Sequence, residues 1–321
     1  MNNPWSAINK PASDFNVRLV DNHHPLLLYW GVDARSRYLF VYEGEAGAMP
    51  ELKTLPNLSG ITTAISKEGE LAKLVLILNE TVNWELFHAL CNDLVRATAQ
   101  VTEASQGPSI VLRRLKRWQD FLKKERSGLL PMEKIKGLIG ELLFLGEPVA
   151  STFGWDDAVT FWKGPEDAPQ DFAVHDTAVE VKCQSGGSKP SVRITSVEQL
   201  NPQLPEAYLV VYTIATASGE ESSHFNLNSL VDAVREKLDT ASELARERFE
   251  DLLYLAGYVS SEKYLEWHFT KIAVKCFKIV EGFPRISPSG VPDGVDSISY
   301  VLQLDACTEF AEKPHWWNSE S

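Results

Sequence analysis

Alternating apolar and polar side chains mark the N-terminal part of the chain and predict a small antiparallel sheet. Two strand-like runs, 25–29 and 38–43, lie on either side of residues 33–36, whose polar side chains are typical of a hairpin turn. The same arrangement recurs in residues 61–66 and 71–78. Because a short polar connection joins each pair of runs, the sequence indicates two hairpins.

The hydrophobic period then changes from that of a strand to that of a helix. In residues 84–98 apolar side chains recur three and four positions apart, and Asn83 is placed to cap the helix. A Gly-Pro pair interrupts the pattern within residues 102–108. We therefore predict an accessory α+β domain over residues 1–104 and a second domain over residues 105–321.

A strongly basic, amphipathic helix is predicted from residue 109 to about residue 126, with Gly128 placed to end it. Its basic residues lie off the apolar stripe, so several of them are expected to face outward. They could contact DNA phosphates, or they could form the solvated face that amphipathic helices usually carry. The candidate DNA contacts in this helix are Arg113, Arg114, Lys116 and Arg117.

The next predicted helix, residues 131–145, is apolar on nearly every side but contains Glu141. A buried carboxylate must be paired, coordinated or protonated, because burying a bare charge is costly. Gly137 and Gly140 leave space beside it for a strand or a substrate. Glu141 is therefore a candidate supplementary metal or water ligand, with a structural pairing to Lys182 or to a backbone amide as the alternative.

Short strand-like segments follow and predict a mixed central sheet flanked by helices. Residues 158–162 are assigned to its first strand, 170–174 and 178–183 to a hairpin, and the apolar run 207–214 to a buried central strand. Helical and strand patterns from residue 226 onward are interpreted as C-terminal additions to this core. The sequence thus predicts an α/β (α+β) fold class.

The predicted hairpin concentrates chemically active side chains. Because strand residues alternate between two faces, Glu180, Lys182 and Gln184 share one face. Asp171, on the partner strand, is expected roughly opposite them across a three-residue turn at 175–177. Two carboxylates and an ammonium that meet in this way suit a hard cation. The alternative is an exposed strand whose Glu/Lys pair is only solvated.

Composition limits the class of protein. The formal net charge of −13 argues against a protein that coats nucleic acid non-specifically, since affinity for phosphates comes from basic residues. The four cysteines show no metal-binding spacing, and the sequence lacks the serine-hydrolase, zinc-protease and dinucleotide-binding motifs. No apolar run is long enough to cross a membrane and no signal peptide is recognisable, so we expect a cytoplasmic globular protein.

The spacing of the hairpin residues resembles the signature of the PD-(D/E)XK nuclease superfamily. Asp171 is followed after eight residues by the tripeptide Glu-Val-Lys at 180–182, although the proline of the signature is displaced to Pro169. Further segments resemble a bacterial branch of PD-(D/E)XK motif proteins associated with restriction and phage-defence gene sets. These segments are 137–145, 192–200 and 284–300. The resemblance covers about half of the chain, from Leu130 onward, and the N-terminal part more loosely.

The resemblance implies a restriction-endonuclease-like core and a role for each candidate residue. It implies that the carboxylates hold Mg²⁺, for which Mn²⁺ would substitute, and that Lys182 helps to activate the attacking water. The implied metal ligands are Asp171, Glu180, the backbone carbonyl of Val181 and, as a supplement, Glu141. The residues implied to position the scissile phosphate are Arg193, Ser196 and Gln199.

The function expected from this combination is Mg²⁺-dependent hydrolysis of DNA phosphodiester bonds by the nuclease subunit of a bacterial restriction or phage-defence system. The expected partners are DNA and the other proteins of such a defence complex, with a homodimer left open and no membrane association. The alternative is a catalytically silent nuclease fold that binds DNA or partner proteins. Metal binding that depends on Asp171 and Glu180 would separate the two.

Overall fold

A computed structural model of the 321-residue chain describes residues 3–123, 130–187, 190–217, 224–295 and 297–317, with only the backbone described for Lys123. The chain divides into two compact units, each with its own sheet. The first unit comprises Met1–Leu129 with Val259–Ser261, and the second comprises Leu130–Tyr258 with Glu262–Ser321. In the described ranges, no helix combines the length and the apolar character that crossing a membrane requires.

A five-stranded antiparallel sheet forms the centre of the first unit, with the spatial order β1-β2-β3-β5-β4. Its strands are β1 (Phe15–Leu19), β2 (Leu27–Asp33), β3 (Tyr38–Glu45), β4 (Ile61–Glu68) and β5 (Leu71–Leu78). Both predicted hairpins are confirmed, as β2 with β3 and β4 with β5. The sequence prediction missed the short edge strand β1, although its apolar residues alternate with Asn16 and Arg18.

Two helices complete the first unit, α1 (Trp84–Thr98) and α2 (Gly107–Lys123). The predicted bounds of α1 are confirmed. The predicted cap is wrong, because the side chain of Asn83 makes no capping hydrogen bond. A 3-10 turn at Thr81–Asn83 runs directly into the helix, so Asn83 lacks the extended backbone from which a capping side chain usually reaches the helix amides.

A buried polar contact joins α2 to α1. Asp93 of α1 accepts hydrogen bonds from Arg114 Nε at 3.1 Å, from Arg114 Nη2 at 2.5 Å and from Trp118 Nε1 at 3.0 Å. Because α2 is tied to α1 in this way, it belongs to the first unit. The two units therefore meet along the chain at Leu129 and Leu130, later than the predicted boundary at residue 104. The predicted end of α2 near residue 126, with Gly128, lies outside the described residues.

The second unit contains a mixed four-stranded sheet with the order β10-β9-β7-β6 and a two-stranded sheet of β11 and β8. The strands are β6 (Phe172–Val174), β7 (Thr177–Ser185), β8 (Ser191–Ile194), β9 (Glu206–Thr216), β10 (Phe269–Lys278) and β11 (Tyr300–Gln303). β7 pairs parallel with β9, and the other pairs in the larger sheet are antiparallel. The predicted buried central strand is confirmed as β9, whose residues 207–212 are all buried. The protein thus has a mixed α+β architecture of the nuclease-like type.

The helices of the second unit are α3 (Met132–Phe144), α4 (Ser151–Phe153), α5 (Trp155–Phe161), α6 (Leu227–Leu238) and α7 (Glu243–Ala256), with a π-helical segment at Leu145–Ala150 after α3. The prediction of a first core strand at 158–162 is wrong, because most of this segment lies in α5. Gly154 turns the chain with φ of 81°, and Asp156 and Asp157 occupy the first turn of α5, where negative charge is favourable. Only Trp162 keeps an extended contact, a single bridge to Phe172.

Candidate active site

The register of the β6–β7 hairpin sets the position of Asp171. Val174 pairs with Thr177, so the turn consists of His175 and Asp176 and is one residue shorter than predicted. Continuing this register by one pair beyond Phe172 and Val179 places Asp171 across from Glu180. The backbone N–H of Val181 donates to Asp171 Oδ2 at 2.7 Å. Asp171 is therefore fixed against β7, beside Glu180, as the signature requires.

Glu180 is buried, with its side chain only 1% exposed. Lys182 Nζ lies 2.6 Å from its Oε1, but neither oxygen of Glu180 has an aligned hydrogen-bond donor among the described residues. The alternative interpretation of this strand, an exposed Glu/Lys pair that is only solvated, is therefore wrong. A buried carboxylate with incompletely satisfied oxygens still has capacity to bind a cation.

Glu141 enters the same cluster from α3. Its Oε2 accepts a hydrogen bond from Trp162 Nε1 at 2.7 Å, a contact that the sequence prediction missed because Trp162 was assigned to a strand. A Cβ at Gly140 would lie 3.1 Å from Cys183 Cβ, which confirms the expected close approach of a strand to the helix at this residue. A Cβ at Gly137 would have no neighbour within 4 Å. Glu141 is half-buried and remains reachable by solvent.

Burial and, after it, the charge of Asp171 raise the pKa values of Glu141 and Glu180. Burial, and then the charge of Asp171, raise the pKa of Glu141 to about 8. Burial is also the main reason that the pKa values of Asp171 and Glu180 are raised, against the opposing charge of Lys182. Burial alone would lower the pKa of Lys182, but the charges of Glu180 and Asp171 outweigh it and the pKa is raised. The cluster therefore holds more carboxyl groups than its single close ammonium can compensate, and without a metal protons make up the difference.

Gln199 lies beside Lys182, on the 3-10 helix Glu198–Leu200. Its Oε1 accepts hydrogen bonds from the backbone N–H of Thr195 at 2.8 Å and from Lys182 Nζ at 3.3 Å. Among the predicted site residues, the structure thus brings Gln199 together with the carboxylate cluster through the lysine.

Arg193 and Ser196 take positions at the edge of this arrangement. Arg193 is exposed on β8, where its Nη2 donates to Ser299 Oγ at 3.4 Å. Ser196 precedes the 3-10 helix Glu198–Leu200, which begins after Val197 without a side-chain capping bond. Arg193 faces solvent and could meet a phosphate there, whereas Ser196 is half-buried.

The four basic residues predicted on α2 differ in exposure. Arg113 and Lys116 are exposed, and Arg117 is half-buried. Arg114 is only 6% exposed and binds Asp93, so the prediction that it contacts DNA is wrong for this structure. Its charge is used to hold α1 and α2 together.

The residues of the cluster fit a hard divalent cation. Within the described part of the chain, no three His, Cys, Asp or Glu side chains already stand in the arrangement of a ligand shell. Lys182 Nζ lies 2.6 Å from one oxygen of Glu180, and the Val181 amide donates to one oxygen of Asp171. Three carboxyl groups, with incompletely satisfied oxygens on Glu180, are the oxygen donor chemistry that Mg²⁺ and Mn²⁺ prefer.

Comparison with known proteins agrees with this geometry. A family model described as "Putative PD-(D/E)XK family member, (DUF4420)" matches residues 1–305. No curated protein and no solved structure matches the chain. The family match extends beyond the segments from Leu130 onward that carry the resemblance, and it includes the whole first unit. The chain belongs to this PD-(D/E)XK family.

Proposed function

We propose that the protein is a Mg²⁺-dependent endonuclease that hydrolyses DNA phosphodiester bonds. The observation that carries the proposal is the convergence of Glu141, Asp171 and Glu180 beside Lys182, because three carboxyl groups with one close ammonium are a suitable donor set for a hard cation. The family supports a nuclease fold, and the DNA substrate and the metal are proposals that rest on the chemistry of the cluster.

Asp171 and Glu180, with the carbonyl of Val181, are the proposed ligands, and Glu141 is the proposed supplement. Bound Mg²⁺, or Mn²⁺ in its place, would stabilise charge on the phosphate and lower the pKa of the attacking water. The chain itself contributes rigidity. The Val181 amide holds Asp171, and β7, hydrogen-bonded on both sides within the sheet, holds Glu180 and Lys182 in one register.

Lys182 is the proposed residue that orients the attacking water. Its ammonium cannot bind a cation, but it can donate up to three hydrogen bonds. Glu180 and Gln199 Oε1 lie at 2.6 Å and 3.3 Å from Nζ, so two directions are occupied and one donor can serve a water or a phosphate oxygen. Gln199 thereby acts as a positioning residue for the lysine.

Binding of DNA is proposed to depend on local basic residues, because the net charge of −13 repels DNA at long range. The exposed candidates are Arg113 and Lys116 on α2 and Arg193 on β8. Protein partners of a restriction or phage-defence complex would supply further DNA contacts, and we propose such a complex as the setting in which the endonuclease works.

Cleavage of plasmid DNA in Mg²⁺ or Mn²⁺ tests the proposal. Asp171→Asn and Glu180→Gln should each lose cleavage, since both keep the side-chain volume and remove the charge. Asp176→Asn, in the exposed turn of the same hairpin, is the matched control and should cleave like the wild type. Calorimetric titration of the same proteins with Mg²⁺ gives a second measurement that does not depend on finding the right DNA.

The two measurements separate the possible results. Metal binding that is lost with Asp171→Asn, together with cleavage by the wild type, supports the endonuclease. Wild-type protein that binds DNA or partner proteins but shows no metal site dependent on Asp171 and Glu180 would instead establish the catalytically silent fold. Cleavage by both variants at the wild-type rate would show that the chemistry lies elsewhere.

A further inference from the structure

Three consecutive residues between α5 and β6 hold the Glu141 side of the cluster. Trp162 Nε1 donates to Glu141 Oε2 at 2.7 Å. The backbone N–H groups of Lys163 and Gly164 both donate to the carbonyl oxygen of Asp171, at 2.7 Å and 2.9 Å. One short segment thus fixes two carboxylate residues that come from different elements of the fold.

Gly164 faces both carboxylates. A Cβ at this position would lie 2.8 Å from Asp171 Oδ1 and 2.8 Å from Glu141 Oε2. Both distances are shorter than real Cβ contacts, so a side chain here would push the two oxygens away. The φ angle of Gly164 is not positive, so the backbone itself would accept alanine. Glycine is needed here only because a side chain would not fit.

The hydrogen bond from Trp162 orients Glu141 without neutralising it. The indole N–H is an uncharged donor, whereas Glu180 has the ammonium of Lys182 beside it. Trp162 is fully buried, and its ring lies 5.9 Å from that of Phe249, so its direction is fixed by packing. The carboxyl groups that converge on Gly164 are therefore held in place by uncharged N–H donors.

We infer that the segment Trp162 to Gly164 is a positioning element of the metal centre. In this inference Trp162 orients Glu141, and the missing side chain of Gly164 keeps the oxygens of Glu141 and Asp171 close enough to share a divalent cation. The inference rests on the proposed metal-dependent function. It adds three residues that the PD-(D/E)XK signature does not contain.

Calorimetric titration of the full chain with Mg²⁺ and with Mn²⁺ tests the glycine. Gly164→Ala should bind either ion about 10- to 100-fold more weakly, as is usual when a group that orients metal ligands is disturbed. Gly146→Ala is the matched control, because its added Cβ would meet one side-chain atom of Trp155 at an ordinary 3.7 Å. It should bind like the wild type.

Trp162→Phe tests the hydrogen bond, because it keeps an aromatic ring and removes the donor. It should weaken metal binding about 10-fold. Trp316→Phe is its control, since the Nε1 of this buried tryptophan has no acceptor in the described ranges. Trp316→Phe should leave the metal affinity unchanged, which separates loss of the hydrogen bond from loss of a buried indole.

The indole N–H resonance of Trp162 provides a signature that needs no stable variant of Gly164. The resonance is assigned by its disappearance in Trp162→Phe. It should shift as Mg²⁺ is added to the wild type, and the dissociation constant obtained from the shift should equal the one measured by calorimetry. The resonance of Trp5, whose Nε1 donates to the carbonyl of Leu39 in the first unit, is the reference that should stay in place.

The outcomes distinguish this inference from the proposed function. If the wild type binds neither ion, the metal-dependent function fails and the inference fails with it. If the wild type binds metal while Gly164→Ala and Trp162→Phe bind equally well, or while the Trp162 resonance does not move at saturation, only the inference is overturned.

Discussion

Glu141 makes the stability of the metal-free protein depend on pH. Its pKa is about 8 in the folded protein, against an ordinary value of 4.5. The folded state therefore binds a proton more tightly than the unfolded state does. Below pH 4.5 both states carry the proton, and between pH 4.5 and pH 8 the unfolded state releases it first. The free energy of unfolding must consequently fall as the pH rises through this window.

The size of the effect follows from the two pKa values. Linkage gives a loss of roughly 2 to 3 kcal/mol between pH 5 and pH 7 and about 4 kcal/mol between pH 5 and pH 9 from this group alone. Glu141→Gln removes the titration and keeps an oxygen that can accept the Trp162 hydrogen bond. We therefore expect the variant to become more stable than the wild type by these amounts as the pH increases.

Native-state hydrogen exchange in urea and EDTA is the suitable assay, because two compact units can unfold separately and one overall transition would mix them. Peptides from α3 report on the second unit. Comparing the variant with the wild type at each pH cancels the pH dependence of intrinsic exchange. Glu133→Gln, an exposed carboxylate in the same helix, is the control. A difference between Glu141→Gln and the wild type that stays constant from pH 5 to pH 9 would refute the reasoning.

Three further predictions concern other parts of the molecule. Lys182→Met should abolish cleavage but keep Mg²⁺ binding in calorimetry, since an ammonium cannot be a ligand; a collapse of metal affinity would give the lysine a structural role instead. Asp93→Ala should lower the unfolding free energy of the first unit by about 3 to 5 kcal/mol, measured by exchange of α1 peptides, because it removes the buried carboxylate that Arg114 and Trp118 bind; a change under about 1 kcal/mol would contradict this. Replacing the exposed Arg113 and Lys116 by Glu should reduce the salt dependence of DNA binding by about two, and an unchanged slope would identify them as a solvated face.

Local patterns in the sequence are sufficient for part of the regular structure. The hairpins β2–β3 and β4–β5 and the helix α1 follow from alternation and helical spacing, because each element buries one face against its neighbours. The segment 158–162 was assigned to the wrong type of element, since a short apolar run fits a strand and a helix equally well. Its helical state is favoured by Gly154 and the two aspartates of the first turn, which are weak signals in an isolated sequence.

Contacts between distant segments could not be derived from the sequence. Nothing in the chain's pattern links Trp162 to Glu141, or Arg114 to Asp93, because these pairs are 21 residues apart and meet only once the helices are packed. On α2, Arg114 lies three residues after Val111 and four before Trp118, so it shares the face of these buried side chains. Its acceptor Asp93, on α1, is what the spacing of the basic residues does not reveal.

The turn of the β6–β7 hairpin shows how one residue of register decides whether a site exists. In an antiparallel pair, residues directly opposite each other point to the same face. With the two-residue turn, Asp171 falls opposite Glu180 and the two carboxylates share a face. The three-residue turn expected from the sequence would have set Asp171 opposite Val181, on the other face, because a slip of one residue reverses every side chain.

His175 makes the shorter turn possible by adopting φ of 53°, a left-handed conformation that histidine tolerates better than β-branched residues do. The Val181 amide then binds Asp171 and secures the register from the other end of the pair. The signature spacing of eight residues between Asp171 and Glu180 therefore has a geometric cause here. Three paired residues on each strand and the two residues of the turn together make eight residues. Asp171 and Glu180 each stand one position beyond the last pair, so these eight residues separate them.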